Sequence, residues 1–87
     1  MYYIYVLSGS QTGVFYKGQT NNLERRLKEH FEGKSQVTRK TLPLQLIHVE
    51  ICDTRSEARS MELFLKSGYG REIIKEIASQ RADVVKW

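Results

Sequence analysis

With one cysteine, Cys52, the chain can form no internal disulfide. This excludes a disulfide framework as its source of stability and makes a reducing, cytoplasmic interior the expected compartment. Cys52 reads as a small apolar strand residue rather than a nucleophile. Proline is as scarce, with Pro43 alone, and there are no low-complexity tracts, linkers or internal repeats. No apolar run is long enough to span a membrane. The apolar start, residues 1–7, has no basic leader and no small-residue cleavage site, so no signal peptide is expected. The two histidines, His30 and His48, are distant, and no cysteine or carboxylate accompanies them at zinc-ligand spacing; His48 reads as an ordinary strand residue.

What is there suits one small domain, residues 1–87, just above the size at which a core needs metal or disulfides to hold it. Hydrophobic residues make up 40% of the chain, enough for a small core. Fourteen Lys and Arg against ten Asp and Glu leave a net charge of +4 and a pI of about 9.4, which favours polyanionic partners. The two signs are interspersed, so any basic patch must come from folding.

Five tyrosines are prominent, three of them in two short triplets, Tyr3-Ile4-Tyr5 and Tyr16-Lys17-Gly18. Residues 2–7 and 14–19 read as strands joined by the turn-rich 8–13, a hairpin across which Tyr5 and Tyr16 can face each other. Tyr3 and Tyr5 share one face of the first strand, and Tyr16 shares its face with Val14 and Gly18. A glycine there leaves open space beside the tyrosine hydroxyl, where a substrate backbone can approach.

Asn21 or Asn22 caps a helix to about residue 31, ended by Gly33. Residues 34–42 are polar and basic and read as an exposed loop. Pro43 opens a third strand, 44–52, whose apolar alternation slips phase at Leu46-Ile47, the mark of a bulge or of cover on both faces. Thr54 to Glu57 form a capping box for a second helix to residue 66, stopped by Ser67-Gly68. A third helix runs over 71–79, with Ile73, Ile74, Ile77 and Ala78 as its apolar stripe. The tail, residues 83–87, receives no element. The fold class is α/β of the α+β type: a small three-stranded antiparallel sheet with three helices packed against it.

Helix geometry, at roughly 100° per residue, selects candidates. Leu23, Leu27 and Phe31 form the expected buried stripe of the first helix, with Arg26 and His30 along one edge. Arg25, Lys28, Glu29 and Glu32 point away. An arginine so placed either lays its stem over the core edge and pairs with a carboxylate, or offers its rigid fork of donors to a phosphate. His30 is either a packed, hydrogen-bonded residue or a group that passes a proton or holds a phosphate near neutral pH. On the second helix Ala58, Met61 and Leu65 form the buried stripe and Phe64 its margin. Glu57 serves the capping box. Glu62 borders the stripe, where a carboxylate needs a partner or a metal: a salt bridge to Arg26 or Lys66, or a Mg²⁺ ion, which takes one or two carboxylates plus waters and phosphate oxygens.

The two triplets, an arginine followed four residues later by histidine (Arg26 and His30), and Glu62 on the second helix stand in the order of the GIY-YIG nuclease domain. The chain resembles that family over nearly its whole length, and most closely its small stand-alone bacterial members. Tyr3 stands where the first triplet has glycine, Lys17 where the second has an apolar residue, and Gln19 where some members carry a lysine. The resemblance implies phosphodiester hydrolysis by water, with one Mg²⁺ (or Mn²⁺) ion and no covalent intermediate. By that resemblance Tyr16 is the general base, Tyr5 orients it or the water, Arg26 stabilises the charge on the five-coordinate phosphorus, and His30 assists. Glu62 is the metal ligand, and Lys34, Arg39 and Lys40 grip flanking phosphates of nucleic acid, with DNA the expected partner. Three alternatives stay open: a module of the same fold that binds nucleic acid without cutting, an RNA-directed nuclease, and a protein-interaction domain anchored by Trp87. Sequence is silent on oligomeric state.

Overall fold

A computed structural model describes residues 1–85, with side chains described through Gln80. Trp87, the expected anchor of a protein-interaction surface, lies outside the described residues. Three strands form one antiparallel sheet of order β2-β1-β3. β1 (Tyr2–Gly9) and β2 (Phe15–Thr20) are the expected hairpin, β1 being two residues longer and β2 displaced by one. β1 is central, and Ile4, Tyr5, Val6 and Leu7 are all at most 1% exposed. A strand covered on both faces needs apolar side chains at successive positions, which is why β1 shows little alternation.

Ile4 and Val6 point to one face and join Ile47, Cys52, Ala58, Leu65 and Ile74 in the core, with Tyr2, Phe15, Met61 and Ala78 packed around them. The Ile, Val and Leu side chains among them each contribute about 1.5–3 kcal/mol on burial. β3 (Leu44–Cys52) pairs His48 with Val6 and Leu46 with Leu7, leaving Ile47 as an extra residue. That bulge is the phase slip read at Leu46-Ile47, and it turns Ile47 into the core at 5% exposure.

α2 (Arg55–Leu65) is capped by Thr54, whose hydroxyl accepts the Glu57 N–H at 3.1 Å. Its buried face is the expected one, with Ala58 and Leu65 inside and Met61 partly so. α3 (Gly68–Val85) begins earlier and ends later than the expected 71–79. Ser67 explains the early start: its hydroxyl accepts the Gly70 N–H at 3.3 Å, so the segment that stops α2 also caps α3. The stripe of α3 is also rotated from the expected one. Ile74 is 1% exposed while Ile73 is 41% exposed, because α3 meets both α2 and β3 rather than the sheet alone.

The other sheet face carries Tyr5 and α1 (Leu23–Phe31), capped by Asn22, whose Oδ1 accepts the Arg25 N–H at 3.2 Å. Gly33 follows with φ 78°, the left-handed turn that ends such helices. The expected stripe of α1 is corrected: Leu23 and Leu27 are only half-buried, Phe31 is 43% exposed, and His30 is the residue fully buried. α1 lies over the tyrosines of the hairpin, so a hydrogen-bonding side chain rather than an apolar one occupies its inner face.

Residues 34–42 are corrected too. They are not wholly a solvent loop, because Ser35 and Thr38 are 6% and 1% exposed, and Arg39–Thr41 forms a turn of 3₁₀ helix.

Candidate active site

Strand register explains how the tyrosines meet. Tyr5 lies directly opposite Gly18, and Tyr16 opposite Leu7, so the two tyrosines are diagonal neighbours rather than a facing pair. Their ring centroids are 6.2 Å apart. The open space expected at Gly18 is corrected: Gly18 is buried, and the Tyr5 ring and hydroxyl occupy the room that its missing side chain leaves. A Cβ there would lie 2.6 Å from the Tyr5 Oη and 3.0 Å from the Tyr16 ring. Any larger residue would push the Tyr5 hydroxyl out of place.

That hydroxyl sits 2.9 Å from His30 Nε2, and His30 Nδ1 sits 2.7 Å from the Thr38 hydroxyl, all three groups buried. Burial first, and the nearby Arg26 charge second, push the His30 pKa below its ordinary value, so the imidazole is neutral. A neutral imidazole has one N–H. The pattern that suits a protonated Tyr5 has its O–H donating to Nε2 and Nδ1–H donating to Thr38. Burial, followed by the neighbouring Tyr16, pushes the Tyr5 pKa up to about 12, so Tyr5 holds its proton. Tyr16 is partly exposed, its ring 5.1 Å from that of His30.

Arg26 closes the group. Its guanidinium donates to Glu29 at 2.9 Å and interacts with the hydroxyls of both Tyr5 and Tyr16. The Glu29 carboxylate, before any other cause, raises the Arg26 pKa, keeping it charged. Glu29, expected to point away, is therefore an anchor for Arg26, while Arg25 is exposed as expected. Both readings of Arg26 meet in one side chain: it pairs with a carboxylate and faces the tyrosines.

Glu62 lies elsewhere. Its side chain is 18% exposed, and its two oxygens accept from Gln19 Nε2 and Lys66 Nζ, each at 2.9 Å. The expected salt bridge is thus to Lys66 and not to Arg26. Gln19 opposes Ile4, so strand alternation puts it on the α2 side, while Tyr16 and Gly18 are on the α1 side. The two groups flank the outer edge of β2, one from each face. Among the described residues no set of three or more His, Cys, Asp or Glu is placed to hold a metal. One carboxylate, oriented by the Gln19 amide on one oxygen, can take a hard cation that keeps most of its waters when the exposed Lys66 gives up the other oxygen.

Lys34, Arg39 and Lys40 are exposed, on the segment that supplies Thr38. Lys34 pairs with Glu32 at 3.1 Å. His48 pairs with Glu50 at 3.3 Å on β3, outside this group. Cys52 is 7% exposed, and burial before nearby carboxylates raises its thiol pKa, which fits a core residue. Thr38 and Glu29 are the site residues that sequence reasoning missed. A threonine eight residues past His30 carries no local signal, whereas Glu29 at i+3 from Arg26 does.

The fold and this cluster are of the kind found in a nuclease-type catalytic domain. The chain belongs to the GIY-YIG catalytic domain family, which it matches over residues 1–76. It is 39% identical to a UPF0213 protein of Haloquadratum walsbyi over 84 residues, 95% of this chain and 92% of that one. It is 44% identical to a UPF0213 protein of Bacillus licheniformis over 66 residues, 75% of this chain and 67% of that one. The solution NMR structure of a UPF0213 protein from Bacillus halodurans aligns with a TM-score of 0.53 and 30% identity, covering 88% of this chain and 85% of that one. No helix of the described residues is long and apolar enough to cross a membrane.

Proposed function

We propose that this chain is a metal-dependent endonuclease domain that cuts phosphodiester bonds in DNA at the outer edge of β2. The observation that carries the reading is the cluster of Tyr5, Tyr16, His30 and Arg26 packed over the buried Gly18, with Tyr16 and Arg26 partly exposed to solvent.

Tyr16, as the phenolate left once its own hydroxyl proton has passed to solvent, takes the proton of the attacking water. It is the tyrosine of the pair with access to solvent, whereas Tyr5 is 1% exposed and firmly protonated. Tyr5 therefore orients Tyr16 and the water and does not act as base. His30, neutral and held by Thr38, keeps the Tyr5 hydroxyl fixed. Its position supports the packed, hydrogen-bonded role. Arg26, steadied by Glu29, meets the negative charge that develops on phosphorus. Glu62, oriented by Gln19, would hold the divalent ion that GIY-YIG nucleases generally use, here Mg²⁺ or Mn²⁺; bound, it supplies Lewis-acid stabilisation of phosphate oxygens. Lys34, Arg39 and Lys40 hold flanking phosphates. The buried, unpaired thiol of Cys52 suits a reducing cytoplasm.

Incubation of the purified protein with nicked, branched and single-stranded DNA and RNA, with and without Mg²⁺, tests this reading. Mg²⁺-dependent cutting of at least one DNA substrate is expected. Binding without cutting under every condition would leave a nucleic-acid-binding module, and cutting of RNA alone would move the substrate class.

A further inference from the structure

Arg55, the first residue of α2, has no place in the cluster around Gly18. It lines a recess of about 300 Å³ together with Tyr2, Gln19, Thr20 and Asn21, where β2 leaves the sheet. No carboxylate lines this recess, and among the described residues none stands within ion-pair distance of Arg55. The lining offers donors: the guanidinium fork of Arg55, the Asn21 amide and the Tyr2 hydroxyl. Its walls are braced. Tyr2 packs against the core, and the Thr20 hydroxyl accepts the Asn22 N–H at 3.1 Å. The fifth lining residue, Gln19, is the one that donates to Glu62. The recess and the carboxylate assigned to the metal are therefore separated by a single side chain.

Resting on the nuclease reading, we propose that this recess is a subsite for a second backbone phosphate, on the α2 side of the β2 edge, held chiefly by Arg55. A guanidinium with free donors beside an amide and a phenol, and with no competing carboxylate, fits a phosphate diester. Occupying it fixes the strand on the α2 side of the cut, while Arg26 meets the scissile phosphate on the α1 side. The strand thus crosses the edge of β2 between two arginines.

The test measures binding and cutting separately. Duplex DNA carrying one neutral methylphosphonate, moved position by position, is titrated by fluorescence anisotropy against the wild type, Arg55→Gln and Arg59→Gln without divalent metal; Arg59 is exposed on α2 outside the recess. Arg55→Gln is expected to lower the slope of log affinity against log salt by about 1. One methylphosphonate position should weaken the wild type and Arg59→Gln but leave Arg55→Gln unaffected. An unchanged slope in Arg55→Gln, a slope change shared equally by Arg59→Gln, or wild type that binds no DNA would overturn the subsite. Cutting is read on the same preparations with Mg²⁺. Absence of the predicted slope change with cutting intact refutes the subsite alone; a slope change with no cutting by the wild type refutes the nuclease reading and keeps the subsite.

Discussion

Tyr5 keeps its proton to about pH 12 because burial removes the water that would stabilise a phenolate and the neighbouring Tyr16 adds to the effect; its hydroxyl is hydrogen-bonded to His30. That network has a residue-scale consequence. Thr38→Val leaves His30 Nδ1 buried without a partner, which costs about 1–3 kcal/mol. Thr38→Ser keeps the hydroxyl and should recover most of that loss in a urea denaturation series; equal stability of Thr38→Val and wild type would show that the 2.7 Å hydrogen bond contributes nothing. Arg26 and Arg25 give a second comparison. Arg26→Ala should lower the cutting rate by about 10²–10³, the value of one positioned charge-stabilising donor, and Arg25→Ala should leave most activity. Similar losses for the two would contradict their different surroundings. The wheel of α1 separates these arginines correctly from sequence alone. It does not show that His30 is fully buried, because the phase of a short helix with three apolar residues is set by what it lies on. Here that is a pair of tyrosines needing a hydrogen-bond partner.

At the scale of elements, the segment between α1 and β3 joins two roles. It carries Lys34, Arg39 and Lys40 to the surface and sends Thr38 inward to His30. Changing the three cations together to glutamine should weaken DNA binding and flatten its salt dependence, by about 0.9 for each phosphate that the cations neutralise. An unchanged slope in an anisotropy titration would leave them as solvated surface. Strands, caps and the bulge were legible in sequence because each has a local signature: alternation, Asn22, Thr54, the phase slip at Leu46-Ile47. The buried Ser35 and Thr38 were not, since small polar residues read as loop unless their partner is known. The start of α3 was missed for a related reason. Ser67-Gly68 reads as a stop, and only the structure shows the Ser67 hydroxyl turned to the next helix.

At the scale of the whole molecule, stability should depend on pH at both ends. The Tyr5 pKa is about 12 in the folded chain and about 10 when unfolded, so the unfolded chain releases its proton first. The Tyr5 contribution is full below pH 10 and is lost as pH rises through 12. His30 works at the acid end. Its folded pKa lies below the unfolded value of about 6.5, so the unfolded chain takes up a proton first and stability falls as pH drops below that value. Denaturation midpoints measured across pH should show less alkaline loss in Tyr5→Phe than in the wild type; identical alkaline curves would contradict the buried assignment of that proton.

The central claim joins two groups on opposite faces of the sheet, the tyrosine–arginine cluster and Glu62, into one site around the edge of β2. Sequence places the four family positions in order but not on their faces, because facing depends on the register that puts Gly18 beside Tyr5 and Gln19 beside Ile4. The most direct measurement is the nicking rate of wild type and Glu62→Gln across a Mg²⁺ titration, with thermal stability read on the same preparations. Glutamine keeps the stem and an oxygen for Gln19, and the exposed partner Lys66 makes the ion pair worth only about 0–1 kcal/mol. The account predicts a near-unchanged melting temperature, retained DNA binding and no Mg²⁺-dependent nicking. Wild-type nicking together with a lowered melting temperature would contradict it and leave Glu62 as a structural partner of Gln19 and Lys66.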